Sequence, residues 1–370
     1  MYGSTYGNIF KISTWGESHG KGIGVVIDGC PAGLELCEED IQKYLDRRKP
    51  GQSKFTTQRK EADQVEILSG VFEGRTTGTP ISMVVYNTDQ KSRDYSEIAG
   101  YYRPGHADWT YDSKYGFRDY RGGGRSSGRE TIGRVAAGAV AAKILEALGV
   151  EILTYTLSIG SVMIDRAAFD AEEIYRNSLY MPDAKAAQQA SDYLAGCMEE
   201  KNSSGGMIEC VVKHMPPNVG EPAFEKLHAN LGKAILSIGA VKGFEIGDGM
   251  AAAQATGLTN NDAYRYDEVG RVCKVTNHSG GVLGGISDGS DIILRAAIKP
   301  TPSIAAAQQT VNKKGENIEV EIKGRHDPVI VPRAVVVVEA MVAITLLDGL
   351  LGSMTSRLDR ILRFFRNSFD

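Results

Sequence analysis

Cysteine is scarce in this 370-residue chain. The five residues, Cys30, Cys37, Cys197, Cys210 and Cys273, are odd in number and contain no C-x-x-C pair. That excludes a disulfide framework and a thiolate zinc site. Histidine is nearly as scarce, six residues with no H-x-H or H-E-x-x-H spacing, so no metal centre is expected. Long apolar runs are missing too: the richest region, 328–352, is interrupted by Arg333, Glu339 and Asp348, which argues against a spanning helix. No Pro/Ser linker divides the chain and no leader-like pattern opens it. The expectation is a cytosolic protein with 1–370 as a single domain of intimately mixed halves. Positive charge is not in excess: 42 Lys and Arg stand against 46 Asp and Glu, a net charge of −4. A nucleic-acid binder with a broad basic surface is therefore disfavoured, although a focused basic pocket is not. The dinucleotide fingerprint is also absent, because Gly20-Lys-Gly-Ile-Gly24 has the wrong spacing and precedes a strand.

Glycine, by contrast, is abundant at 43 residues. Its most informative use is Arg121-Gly-Gly-Gly-Arg-Ser-Ser-Gly-Arg-Glu-Thr-Ile-Gly-Arg134. Three successive glycines imply positive φ or a close backbone approach. Ser127-Gly-Arg-Glu130 reads as a capping box, which starts a helix near Gly128. Unpaired helix N–H groups, two hydroxyls (Ser126, Ser127) and three arginines (Arg121, Arg125, Arg129) together predict a phosphate or carboxylate site.

Apolar strands at Gly24–Ile27, Ile81–Tyr86, Ile208–Val212 and Ile292–Ile298 alternate with helical patterns at 129–148, 183–201 and 332–350. The first helix carries Gly133, Ala137 and Ala141 on one smooth face, suited to close packing. The third is apolar on most sides and reads as buried. A weak internal echo is visible. Val25–Gly33 and Glu209–Gly220 each read as strand, Pro-containing turn and Gly, leading into an acidic-start helix. The pattern is that of an α+β fold, with an internal pseudo-duplication as one reading and chance as the other.

Three histidines sit in Gly- or Pro-shaped loops: His19 in Gly16-Glu-Ser-His-Gly20, His106 in Arg103-Pro-Gly-His-Ala-Asp108, and His326 in Gly324-Arg-His-Asp-Pro328. Such loops present an imidazole to a ligand, and Arg103 and Asp108 stand near enough to tune His106. A second basic cluster, Arg47-Arg-Lys-Pro-Gly-Gln-Ser-Lys54 with Arg59-Lys60, flanks a Pro-Gly turn beside Ser53, Thr56 and Thr57 and suits a polyanionic small molecule. Lys299-Pro-Thr-Pro-Ser303 adds a cation and two hydroxyls on fixed backbone.

Those motifs, with Arg118–Ser127, together resemble the chorismate synthase family from Gly7 to about Leu351, in the family's order. The resemblance implies a β–α–β sandwich, normally a homotetramer. It implies conversion of 5-enolpyruvylshikimate 3-phosphate (EPSP) to chorismate and phosphate by 1,4-anti elimination. That reaction has no net redox change yet needs reduced FMN. By the same resemblance, Ser18, Arg48, Lys54, Arg103, Ser127, Arg129 and Arg325 hold the anionic groups of EPSP. The flavin is held by Arg125, Ser126, Ser127, Gly239, Ala240, Gly284, Lys299, Pro300, Thr301, Pro302, Ser303 and Arg325. His19 protonates the departing phosphate, His106 protonates reduced flavin near N1 or O2, and Asp327 helps N5 accept the C6 proton.

Three positions depart from the family pattern. Pro302 stands where serine is common, Gly239 where some members have a side-chain amide, and Lys54 where arginine is common, keeping the charge but losing bidentate binding. Some members assign Arg48 and position 54 to NADPH. This chain shows no nicotinamide site or appended reductase domain, so NADPH is expected to act indirectly, through an external flavin reductase. Two other classes stay open on the residues alone: a flavin oxidoreductase with net electron transfer, and a non-catalytic anion- or RNA-binding protein. No membrane or nucleic-acid partner is expected.

Overall fold

A computed structural model describes residues 3–52, 55, 62–87, 97–322 and 327–367. Among the residues singled out above, Ser53, Lys54, Thr56, Thr57, Arg59, Lys60, Gly324, Arg325 and His326 lie outside these ranges.

Two antiparallel sheets enclose a helical layer. The first contains β1 (Thr5–Tyr6), β2 (Lys11–Gly16), β3 (Gly22–Asp28), β4 (Val65–Ser69) and β5 (Ile81–Tyr86), in the order β1-β2-β3-β5-β4. The second contains β6 (Glu151–Ile159), β7 (Val162–Met163), β8 (Gly206–Lys213), β9 (Val241–Ile246) and β10 (Ile292–Ile298), in the order β9-β10-β8-β6-β7. Each of the four predicted strands falls within one of these. In both sheets the third strand in sequence pairs with the fifth, which pairs with the fourth. The strand–turn–helix echo is present as β3 into α1 (Glu38–Arg48) and β8 into α5 (Leu227–Leu236). The two segments differ at the helix start: α1 opens on Glu38, Glu39 and Asp40, while α5 has no acid in its first turn.

α2 (Asp108–Tyr115) follows the first sheet in the chain. α3 (Thr131–Ala147) packs on β2 and β3, and α6 (Val331–Ser353) packs on β6 and β8. The two helices also pack on each other, with α1 and α5 against α6. The arrangement is a β–α–β sandwich of the α+β class. One apolar cluster runs through both sheets and the helices between them. α6 is long and apolar enough to cross a membrane by length and composition, but 72% of its most apolar window is buried. That matches a core helix wrapped on most sides.

Local chemistry explains the boundaries. α4 (Ala184–Glu199) is capped by Asp183, whose carboxylate accepts the N–H groups of Lys185 and Ala186 at 2.9 and 3.1 Å. α6 has Pro332 in its first turn, where the missing N–H does no harm. α7 (Leu358–Asn367) ends the described chain.

The small-residue face of α3 acts as expected against the first sheet. A methyl at Gly133 would meet the Gly24 carbonyl oxygen at 3.0 Å. The tighter contact lies on the opposite side. A methyl at Gly138 would sit 2.3 Å from Ala340 Cβ on α6. Gly138→Val is therefore expected to destabilise the protein by roughly 1–3 kcal/mol through overpacking. Denaturant melts check this, and an unchanged midpoint would mean that α3 and α6 are not in close contact.

Candidate functional site

The end of α1, the start of α3 and the start of α6 converge on one cavity of about 1410 Å³. Among the described residues, nine lysines and arginines line it against four carboxylates. In a protein of net charge −4 that is the focused basic pocket the sequence allowed. Ser18, His19, Arg48, Arg103, His106, Arg125, Ser126, Ser127, Arg129, Gly239, Ala240, Lys299, Pro302, Ser303 and Asp327 all line it. Pro300 and Thr301 do not, although the Thr301 hydroxyl is buried with no hydrogen-bond partner among the described residues. Gly284 lies in the tight turn of the hairpin Val282–Leu283 and Ile286–Ser287, away from this lining. The structure does not bring it to the cavity.

The glycine run forms the floor beside His19. Gly122, Gly123 and Gly124 all have positive φ, at 66°, 83° and 53°. A methyl at Gly122 would lie 2.3 Å from His19 Cε1 and 2.9 Å from Ser18 Oγ. The Ser18 hydroxyl donates to the Gly122 carbonyl at 3.2 Å and sits 3.2 Å from His19 Nδ1. Both Ser18 and His19 are buried.

The predicted capping box is only half formed. Ser127 Oγ accepts the Arg129 N–H at 3.3 Å, but Glu130 pairs with Arg134 at 2.9 Å instead of reaching back to Ser127. Residues 128–130 make a 3-10 turn, and α3 starts at Thr131. The Glu130 carboxylate finds a better partner one helical turn on, where a cation is in reach.

The three arginines of this loop also part company. Arg121 pairs with Asp119 at 2.8 Å and is absent from the cavity wall. Arg125 reaches the first sheet, donating to Thr14 Oγ1 at 2.7 Å and to the Gly16 carbonyl at 3.2 Å. Arg129 is buried against Asp63 at 3.2 Å, and Asn87 Oδ1 accepts from its Nη2 at 2.7 Å. Arg48, 2% exposed, also pairs with Asp63. Burial presses the Arg48 guanidinium below its ordinary value, and Asp63 opposes this. Its Nε–H is buried with no acceptor among the described residues. Asp63 and Asn87 were invisible as site residues because neither sits in a motif of its own.

Asp108 does not tune His106 by contact. It clamps Arg103 in a fork, with Nε and Nη2 each 2.8 Å from one carboxylate oxygen. His106 instead donates from Nδ1 to the Pro104 carbonyl at 3.0 Å, since a carbonyl can only accept. Nε2 therefore accepts from the Ser303 hydroxyl at 2.8 Å in the neutral ring. Lys299 Nζ ties this corner together by donating to the Gly105 carbonyl at 2.8 Å. Asp327 meets Arg333 at 2.7 Å, and Arg333 Nε donates to the Arg48 carbonyl at 3.0 Å.

Burial, reinforced by the nearby Arg103, pushes the His106 imidazole down to about 4. In the unfolded chain it titrates near its ordinary value of about 6.5. The unfolded state thus binds more protons between these values, so stability rises with pH there. The His106 contribution is complete above about pH 6.5 and is lost as pH falls towards about 4. His106→Gln is expected to flatten the pH dependence of the melting temperature over that window. A slope equal to wild type would show that His106 is not buried neutral.

A family model for chorismate synthase matches residues 10–351. A chorismate synthase of Agathobacter rectalis is 72% identical over 366 residues, covering 99% of this chain and 100% of that protein. One from Chloroflexus aurantiacus is 52% identical over 357 residues, covering 96% and 98%. A crystal structure of chorismate synthase superposes with a TM-score of 0.75 at 30% identity, covering 98% of both chains. With the sandwich, the basic cavity and these likenesses in agreement, the chain belongs to the chorismate synthase family, carbon–oxygen lyases of the shikimate pathway.

Proposed function

We propose that this chain, acting as one domain, converts EPSP to chorismate and phosphate by 1,4-anti elimination assisted by reduced FMN. The observation that carries this reading is the convergence of His19, His106 and Asp327 with the arginines on one cavity. Its volume of about 1410 Å³ exceeds the roughly 300–1,000 Å³ of a single-ligand pocket, which suits two ligands side by side. A substrate with a phosphate and two carboxylates, and a flavin with a phosphate, match the excess of cations.

The residues fit FMN through Lys299, Ser303, Ser126, Ser127 and the Gly239–Ala240 backbone. At Gly239 an added methyl would meet nothing within 4 Å, leaving open space beside the chain. Bound reduced FMN supplies electron density to the cleaving C–O bond. The anionic groups of EPSP draw on Arg48, Arg103 and Arg129, with Ser18 and Ser127 as hydroxyl partners. Arg103 gives Nε and Nη2 to Asp108, and a guanidinium carries five N–H bonds, so it keeps donors for a ligand. His19 gives a proton to the leaving phosphate, which departs more easily once protonated. Asp327 acts in removal of the C6 proton, held in place by Arg333. His106, held neutral by burial, is drawn towards protonation by bound anions and moves a proton at Nε2 through Ser303.

Reduced flavin comes from an external reductase fed by NADPH, the assembly is a homotetramer, and the enzyme works in the cytosol. The same flavin-binding loops would also serve an oxidoreductase. Anaerobic turnover with photoreduced FMN separates the two: elimination forms chorismate and phosphate with no stoichiometric loss of reductant.

Two variants test the roles. His19→Ala is expected to lower turnover by roughly 10²–10⁴-fold with flavin binding retained. Asp327→Asn is expected to leave EPSP affinity within a few-fold while slowing the C6 step, read as a changed isotope effect with C6-deuterated EPSP in stopped flow. Wild-type turnover in either variant removes that residue from the mechanism.

A further inference from the structure

We infer that Asp63 is a positioning residue that joins Arg48, Arg129 and the His19 turn into one preformed anion clamp. Its carboxylate is fully buried and divided between two cations: Oδ2 meets Arg48 Nη2, and Oδ1 meets Arg129 Nη1 at 3.2 Å. Neither arginine is more than 8% exposed at its side chain. Two guanidiniums this close and this dry repel each other, and the shared carboxylate offsets that repulsion. The far edge of Arg129 rests on Asn87, whose Oδ1 accepts from Nε at 3.1 Å and Nη2 at 2.7 Å. The Asn87 amide then donates to the carbonyls of Glu17 and Gly20 at 3.0 and 2.8 Å, the two ends of the turn that carries His19. The end of α1, the start of α3 and the His19 turn are thus locked through one carboxylate and one amide. Asp63 itself has φ 47°, a conformation that non-glycine residues adopt only when the surroundings impose it.

This inference rests on the proposed reaction for its kinetic part and on anion binding alone for the rest. Asp63→Asn keeps the shape and removes the charge. In the full-length protein, binding of inorganic phosphate, read by calorimetry, is expected to tighten roughly 3- to 10-fold, because the two guanidiniums that line the cavity have lost the carboxylate that partly neutralised them. In the same protein kcat for EPSP is expected to fall roughly 10- to 100-fold with no rise in KM, because the guanidiniums are no longer held in register. A purely structural role would weaken both, so phosphate binding that weakens alongside kcat overturns the inference, as does wild-type kcat. If Asp63→Asn does not fold, Asp63→Glu decides the question. It keeps the charge but moves it by one methylene, so phosphate affinity should stay near wild type while kcat falls. Wild-type kcat in that variant overturns the inference. If the wild-type protein does not turn over EPSP, the reaction assignment fails on its own. The phosphate measurement then decides the case of Asp63.

Discussion

The site depends on the approach of Gly122 to His19. A backbone that turns left-handed at three consecutive residues can lie flat against an imidazole, and no side chain can stand between them. From that contact the loop runs into a 3-10 turn that presents Ser126 and Ser127, and then into α3, the helix on which the first sheet packs. The proposed proton donor is therefore placed by the same segment that places the hydroxyls and Arg129. Loop geometry, cation placement and helix packing cannot be altered independently here.

Electrostatics sets the second constraint. An acidic protein that collects cations in one cavity needs counter-ions in the walls: buried Asp63 for Arg48 and Arg129, buried Asp108 for Arg103, and half-buried Asp327 for Arg333. The neighbours Arg47 and Arg48 show how helix geometry divides the work. Consecutive side chains on α1 point in different directions. Arg48 lines the cavity, while Arg47 makes a forked pair with Glu339 on α6, with the rings of Tyr44, Tyr175 and Tyr180 around it. The pair that fastens α1 to the helical layer thus sits next to the residue α1 delivers to the cavity.

Much of this was legible in the sequence because it rests on local signals. The strands at Ile81–Tyr86 and Ile292–Ile298, the Pro332 start of α6 and the glycine run are all encoded in short windows. What was not legible depends on partners distant in sequence. Glu130 read as the second half of a capping box, yet Arg134 claims it. Arg121 read as a ligand-facing cation, yet Asp119 holds it outside the cavity. Asp108 read as a partner of His106, yet it forks onto Arg103, and the ring is set by Pro104 and Ser303. Asp63 and Asn87 carry no local signature, because their role is defined by Arg129, more than 40 residues further along the chain. Gly138 carries no such signal for a similar reason: periodicity marks the face of α3 that meets the sheet, whereas contact with Ala340 depends on how two long helices cross.

The most direct test of this account is the behaviour of Gly122→Ala. One methyl there would overlap His19 Cε1, 2.3 Å away, and would strain a residue with φ 66°. The account predicts a crystal structure in which the fold is kept but the His19 imidazole and the 121–127 loop have separated, with EPSP turnover lowered roughly 100-fold. A variant structure with His19 unmoved, together with wild-type turnover, would contradict it.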